Sequence, residues 1–156
     1  MTREIEPELL QRLGLLVTRW AFVEQCVSDL FILLTKGDPG AMPIVTANVS
    51  NRSVVEWTRT LLDIRYHTDE WQLDREAREA LQDVDELRNE RNALVHGLWG
   101  TEGPPGSACV QTVRLDRKEI IRDVVVTAAD LDDLIDDILS VTERLLSILK
   151  RAKGEA

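Results

Sequence analysis

Arg88-Asn89-Glu90-Arg91-Asn92-Ala93-Leu94-Val95-His96-Gly97-Leu98-Trp99 marks the place where a helical pattern gives way to something else. Ala77, Ala80, Leu81, Val84, Leu87, Leu94, Val95 and Leu98 recur at steps of three and four, the spacing of one helical face. Asp74 is placed to cap the start of that helix and Gly97 to end it. Beyond it, Thr101-Glu102-Gly103-Pro104-Pro105-Gly106 cannot continue a helix and predicts a loop. Residues 109–115 and 120–126 are β-branched stretches around the polar Asp116-Arg117-Lys118-Glu119, the pattern of a β-hairpin.

Working outward, residues 8–34 carry Leu9, Leu13, Leu16, Val17, Trp20, Val23, Val27, Leu30, Phe31 and Leu34, again at steps of three and four. They predict a long amphipathic helix opened by Pro7 and closed by the turn Gly37-Asp38-Pro39-Gly40. Residues 41–49 read as one short helical turn interrupted by Pro43. Ser53 with Glu56 reads as a capping box for a helix reaching Tyr66, and 67–73 as a polar connection. Thr127 with Asp130 reads as a second box, opening a final helix with Leu131, Leu134, Ile135, Ile138, Val141, Leu145, Ile148 and Leu149 on one face. An isolated hairpin is marginal on its own, so this one must lean on the helices. The expected fold is mainly α: one domain over 1–156, a helical bundle with a β-hairpin at about 108–127 inserted before a C-terminal helix at about 128–152.

Composition narrows the function. The 156 residues carry a formal charge of −9 and are 44% apolar, too apolar for disorder and long enough to hold a core without staples. A pI near 4.7 excludes a generic polyanion binder of the histone kind, so any RNA contact requires a local pocket on an acidic body. Cys26 and Cys109 form no metal-ligand cluster and no disulfide framework. With no apolar run long enough for a bilayer and no secretory pattern at residues 1–6, the expectation is a cytoplasmic protein with no membrane partner.

The chemistry converges on the quoted segment. Position 91 belongs by spacing to the apolar row of Val84, Leu87, Leu94 and Leu98, yet it holds arginine. A guanidinium on such a face is either ion-paired in the core or set at the mouth of a cleft or interface where its charge is needed. Asn92 and His96, four apart, share a side of the helix with Arg88 and Asn89. His96 stands about 140° around the helix from Arg91, within reach of a bent arginine. At the helix end it lies among unsatisfied carbonyls, where the dipole attracts positive charge. An imidazole beside a guanidinium and an amide is sufficient to cut RNA without metal. The 2′-hydroxyl attacks the neighbouring phosphate, the imidazole handles a proton and the guanidinium meets the developing charge. One histidine cannot be base and acid at once, and a two-fold dimer supplies two.

Arg91-Asn92-x-x-x-His96 near the end of a long helix resembles the signature of the HEPN superfamily: arginine, a polar residue, then histidine four to six positions after the arginine. The resemblance implies a helical bundle that dimerises with the motif at the shared face. It also implies a metal-independent endoribonuclease of the toxin–antitoxin or phage-defence kind. Arg91, Asn92 and His96 would be catalytic, and the partners an RNA substrate, a second copy and a cognate antitoxin protein. No cofactor or metal is implied. The alternative is a non-catalytic dimeric HEPN-like module that binds a protein partner or nucleotide, with Arg91 in a structural ion pair.

Around this motif, Arg88 is a candidate substrate contact, and Trp99, two residues past Gly97, either walls a pocket or stacks on a base. Glu24, one turn beyond Trp20, either positions Arg91 by pairing with it or faces water. Trp20, Trp57 and Trp71 read as core or interface anchors, and His67 as a surface residue. Asp130, Asp132, Asp133, Asp136 and Asp137 suit the first turns of a helix and read as a solvated face. The 103–106 loop has no lysine and no phosphate-cradle pattern, so nucleotide hydrolysis has no support.

Overall fold

Pro7 lacks the N–H that a first helical turn leaves unused, and it opens α1 (Pro7–Thr35). After α1 the backbone turns at Lys36, whose φ of 53° is left-handed, and Asp38 Oδ1 accepts from the N–H of Gly40 at 2.6 Å. There follow α2 (Met42–Ala47), α3 (Asn51–Arg65), α4 (Asp74–Val95), β1 (Leu98–Gly100), β2 (Ser107–Arg114), β3 (Glu119–Thr127) and α5 (Ala128–Lys153). This computed structural model describes residues 4–65, 73–100, 103–114 and 119–154, and side chains in all of these except 65, 112–114 and 119–122. The chain is mainly helical, with its strands inserted before the last helix as expected.

Several local expectations shift. Pro43 does not interrupt the short helix at 41–49; it sits in the first turn of α2, where proline is tolerated. The cap of α3 is Ser50 rather than Ser53: Ser50 Oγ accepts the N–H of Ser53 at 3.2 Å, and Glu56 instead takes Arg52 Nε at 3.0 Å. The hairpin is a three-stranded antiparallel sheet in the order β1-β2-β3. Its extra strand begins at Leu98, which is 67% exposed and lies off the helical row it seemed to extend. Val17 is likewise exposed on α1. Tyr66, His67 and Trp71 lie outside the described residues.

The chain divides into two compact units, whose boundaries fall inside α1, α4 and α5. The first comprises residues 1–19 and 87–138. Its core joins Leu9 of α1, Ala108 and Val110 of β2, Val126 of β3 and Leu131 of α5, with Ile5, Leu94, Trp99 and Ala128 packed against them. Removing each such large apolar side chain from water is worth about 1.5–3 kcal/mol, which is what holds so small a sheet. β2 and β3 pair Ala108 with Val126 and Val110 with Val124; between Val110 and Thr112 the register shifts, β3 supplying the extra residue of a bulge.

The second unit comprises residues 20–86 and 139–156. Trp20, Val23, Val27, Leu30, Leu62, Leu81, Leu145 and Ile148 are buried in it, and the rings of Phe31 and Trp57 lie 5.9 Å apart. Arginines cross-link its helices. Arg78 joins Asp63 of α3 at 2.5 Å and Asp74 of α4 at 2.8 Å, while Arg59 of α3 reaches Asp85 and donates to the carbonyl of Leu81 at 2.9 Å. Arg144 and Arg151 of α5 pair with Asp83 and Glu76 of α4. Cys26 is buried, and burial pushes its thiol up from its ordinary range. Among the described residues, no helix is long and apolar enough to cross a membrane.

Candidate functional site

α4 ends where Gly97 is needed. A methyl group there would lie 2.4 Å from Val110 Cγ1 and 2.6 Å from the carbonyl oxygen of Ala93, so only glycine lets the helix end press onto β2. The last turn is finished by two donors. The N–H of His96 reaches the carbonyl of Asn92 at 3.0 Å, and the indole N–H of Trp99 reaches that of Leu94 at 2.7 Å. The second bond supplies a side-chain donor to a carbonyl that a helix end leaves orphaned.

This close approach leaves a cleft of about 680 Å3 between the end of α4, strands β2 and β3, and the start of α5. One wall is a stripe of α4: Asn89, Asn92, Ala93 and His96, spaced i, i+3, i+4 and i+7, with Glu90 beside it. The small Ala93 at the centre of the stripe leaves room in front of the helix. The opposite wall is apolar, with Val110, Val124, Val125 and Leu134. Val124 and Val125 are about half exposed, at 48% and 50%, although they are consecutive in a strand and would ordinarily face opposite sides. Both border the cleft next to the β3 bulge, a local break in strand alternation.

Asp130, at the start of α5, also lines the cleft. Its Oδ2 accepts from the N–H and hydroxyl of Thr127 at 2.8 and 2.6 Å, and its own N–H returns a bond to Thr127 Oγ1 at 3.3 Å, the reciprocal box read from the sequence. The bonds from the Thr127 hydroxyl and then its N–H hold this carboxyl below its usual range, against a smaller opposing effect of burial. Asp132, Asp133, Asp136 and Asp137 are exposed as anticipated, and Asp132 takes Arg12 Nε at 2.8 Å.

The site residues read from the sequence divide accordingly. Arg91, Asn92 and His96 are brought together in part: Arg91 Nη1 donates to Asn92 Oδ1 at 2.8 Å, and Asn92 and His96 share the cleft wall. Arg91 and Arg88 are half-buried and do not line the cleft. Trp99 does not line it either. Its part-buried ring packs on the core of the first unit, and its N–H closes α4. Glu24 lies in the second unit, half-buried, accepting the indole N–H of Trp20 at 2.8 Å. Sequence reasoning missed Glu90, Asp130 and the β3 valines as parts of a site. The one signal was Val124-Val125, an apolar pair on a strand with a polar flank at Asp123.

The arrangement offers one imidazole, two side-chain amides and two carboxylates against an apolar wall, with no lysine or arginine among the lining residues. Among the described residues, no group of three or more His, Cys, Asp or Glu side chains is disposed to hold a metal ion. No family model matches the chain, and no curated protein or solved structure matches it either.

Proposed function

We propose that the chain is a metal-independent endoribonuclease of HEPN type that cleaves RNA by transesterification at its 2′-hydroxyl. It would act in the cytoplasm as a homodimer in stress or phage defence, under the control of a cognate antitoxin protein. The observation that carries the reading is the 2.8 Å bond from Arg91 to Asn92, with Asn92 and the exposed His96 on the wall of one solvent-open cleft. Asn92 thus holds a guanidinium beside the cleft wall that also carries the imidazole.

In the reaction, the 2′-oxygen attacks the adjacent phosphorus and the bond from phosphorus to the 5′-oxygen breaks, giving a 2′,3′-cyclic phosphate and a 5′-hydroxyl. His96 of one protomer takes the 2′-hydroxyl proton. An imidazolium, contributed by the second copy, returns a proton to the leaving oxygen. Arg91 stabilises the charge that develops on the phosphate oxygens, and Asn92 holds Arg91 in position. The direct test is RNA cleavage in excess EDTA by purified wild type and His96→Ala. Loss of at least a hundredfold in the variant supports the proposal; equal activity in both contradicts it.

A second reading has its own supporting observation. The lining carries two carboxylates and no arginine or lysine, a composition that suits a non-catalytic dimeric module binding a protein partner or nucleotide better than one binding bare phosphate. Under it, Arg91 is structural, and His96→Ala has no catalytic consequence.

A further inference from the structure

The cleft is badly composed for a phosphate. Of its lining side chains only His96 can carry positive charge, whereas Glu90 and Asp130 are carboxylates, and the bonds from Thr127 hold Asp130 below the usual carboxyl range. It is well composed for a flat, uncharged, polar ring. Val124, Val125 and Leu134 present an apolar surface for a ring face, and Asn89, Glu90, Asn92 and Asp130 present hydrogen-bonding groups to its edge. A volume of about 680 Å3 lies within the range of small-molecule sites.

The edge groups have a polarity. Arg91 occupies Asn92 Oδ1, so Asn92 offers its Nδ2 hydrogens as donors. Glu90 and Asp130, as carboxylates, only accept, and Asp130 commits its Oδ2 to Thr127. The wall is therefore rich in acceptors with a donor beside them. An exocyclic amino group next to a ring nitrogen matches that order, as in adenine and cytosine. The corresponding edge of uracil sets two carbonyl acceptors around one N–H and would place an oxygen against a carboxylate.

We infer that this cleft is a base-reading pocket for single-stranded RNA, taking a base with an exocyclic amino group on Asn89, Glu90 and Asn92 over the Val124-Val125 wall, while the phosphate stays outside it near Arg91. The inference rests on the ribonuclease reading and adds the part of the substrate that the cleft holds. Asn89 and Glu90 are specificity residues in it, and neither takes part in bond breaking.

The test uses His96→Ala protein and fluorescent 2′-O-methyl hexamers of adenine, cytosine and uracil, which cannot be cleaved, with binding followed by anisotropy. Adenine and cytosine hexamers are expected to bind on the order of fivefold or more tighter than the uracil hexamer. Adding Glu90→Gln or Asn89→Ala, both at exposed positions of α4, should shrink that preference below about twofold without moving the melting temperature. Equal binding of the three hexamers, or a preference untouched by both substitutions, overturns the inference. If wild type still cleaves mixed RNA in EDTA through His96, the ribonuclease reading survives that result. A base preference in a protein that cleaves nothing supports the pocket and removes the nuclease. Absence of both binding and cleavage overturns the two together.

Discussion

The start of α5 and the end of α4 border the same cleft and are finished by different means. At α5, Thr127 and Asp130 exchange bonds within a single turn, and every contact lies within three residues of the helix start. At α4, the finish depends on a chain reversal: Gly97 allows the helix end onto β2, and the reversal brings Trp99 back to the carbonyl of Leu94. The first terminus is determined locally, the second by the sheet that follows it. The polar stripe Asn89, Asn92 and His96 sits on the second. A site on a terminus fixed by distant packing is sensitive to changes well outside its own residues.

The largest contrast should come from Gly97→Ala. The added methyl meets Val110 and a backbone oxygen, neither of which retreats cheaply, and overpacking of this kind costs about 1–3 kcal/mol. Urea unfolding should show that loss, and binding in the cleft should weaken with it. A variant as stable as wild type would mean that α4 is not held against β2 in this way.

Thr127→Ala removes the hydroxyl from the local box and should cost about 1 kcal/mol by urea unfolding, as the loss of other N-terminal caps does. Cleavage should be retained if the two termini are as separable as the geometry implies. Trp99→Phe keeps a ring on the core while deleting the donor to Leu94. It should cost about 1 kcal/mol and also disturb cleavage, because the turn it closes carries His96. Identical kinetic behaviour of these two variants would erase the distinction between the termini.

The smallest effect is in acid. Asp130 has its folded pKa depressed, first by the Thr127 hydroxyl bond and then by the Thr127 N–H bond. A depressed carboxyl contributes stability that is present above its unfolded value, near 3.9, and is lost as pH falls through the lower folded value. Unfolding measured from neutrality down should therefore show a loss of stability below about pH 4 that is shallower in Asp130→Asn. A variant with the same acid limb as wild type would show that the box carries none of it.

The same contrast explains what was legible. α1, α4 and α5 announce themselves because their buried faces repeat over many turns, and the Thr127–Asp130 box because its partners are three residues apart. β1 was hidden because Leu98 stands four residues after Leu94 and so continues the helical spacing, although it begins a strand. The role of Trp99 was hidden because an indole donating five residues back has no periodic signature. The α3 cap was misplaced by three residues because Ser50 and Ser53 both fit a cap, and their hydroxyls lie 2.9 Å apart. In the candidate site, the shared side of Asn89, Asn92 and His96 was legible from their helical spacing, although Arg88, read on the same side, does not line the cleft; the β3 wall and Glu90 became visible only once the strands were placed.

In the proposed reaction, Arg91, Asn92 and His96 make the 2′-oxygen of RNA attack its own phosphate. The most direct measurement uses an RNA oligonucleotide that wild type cuts at a mapped position, compared in EDTA with the same oligonucleotide carrying a single 2′-deoxynucleotide there, with fragment ends identified by mass. A 2′,3′-cyclic phosphate is expected from the first and no cut at that position in the second. Cleavage of the deoxy position, or fragments ending in a 5′-phosphate, would contradict it.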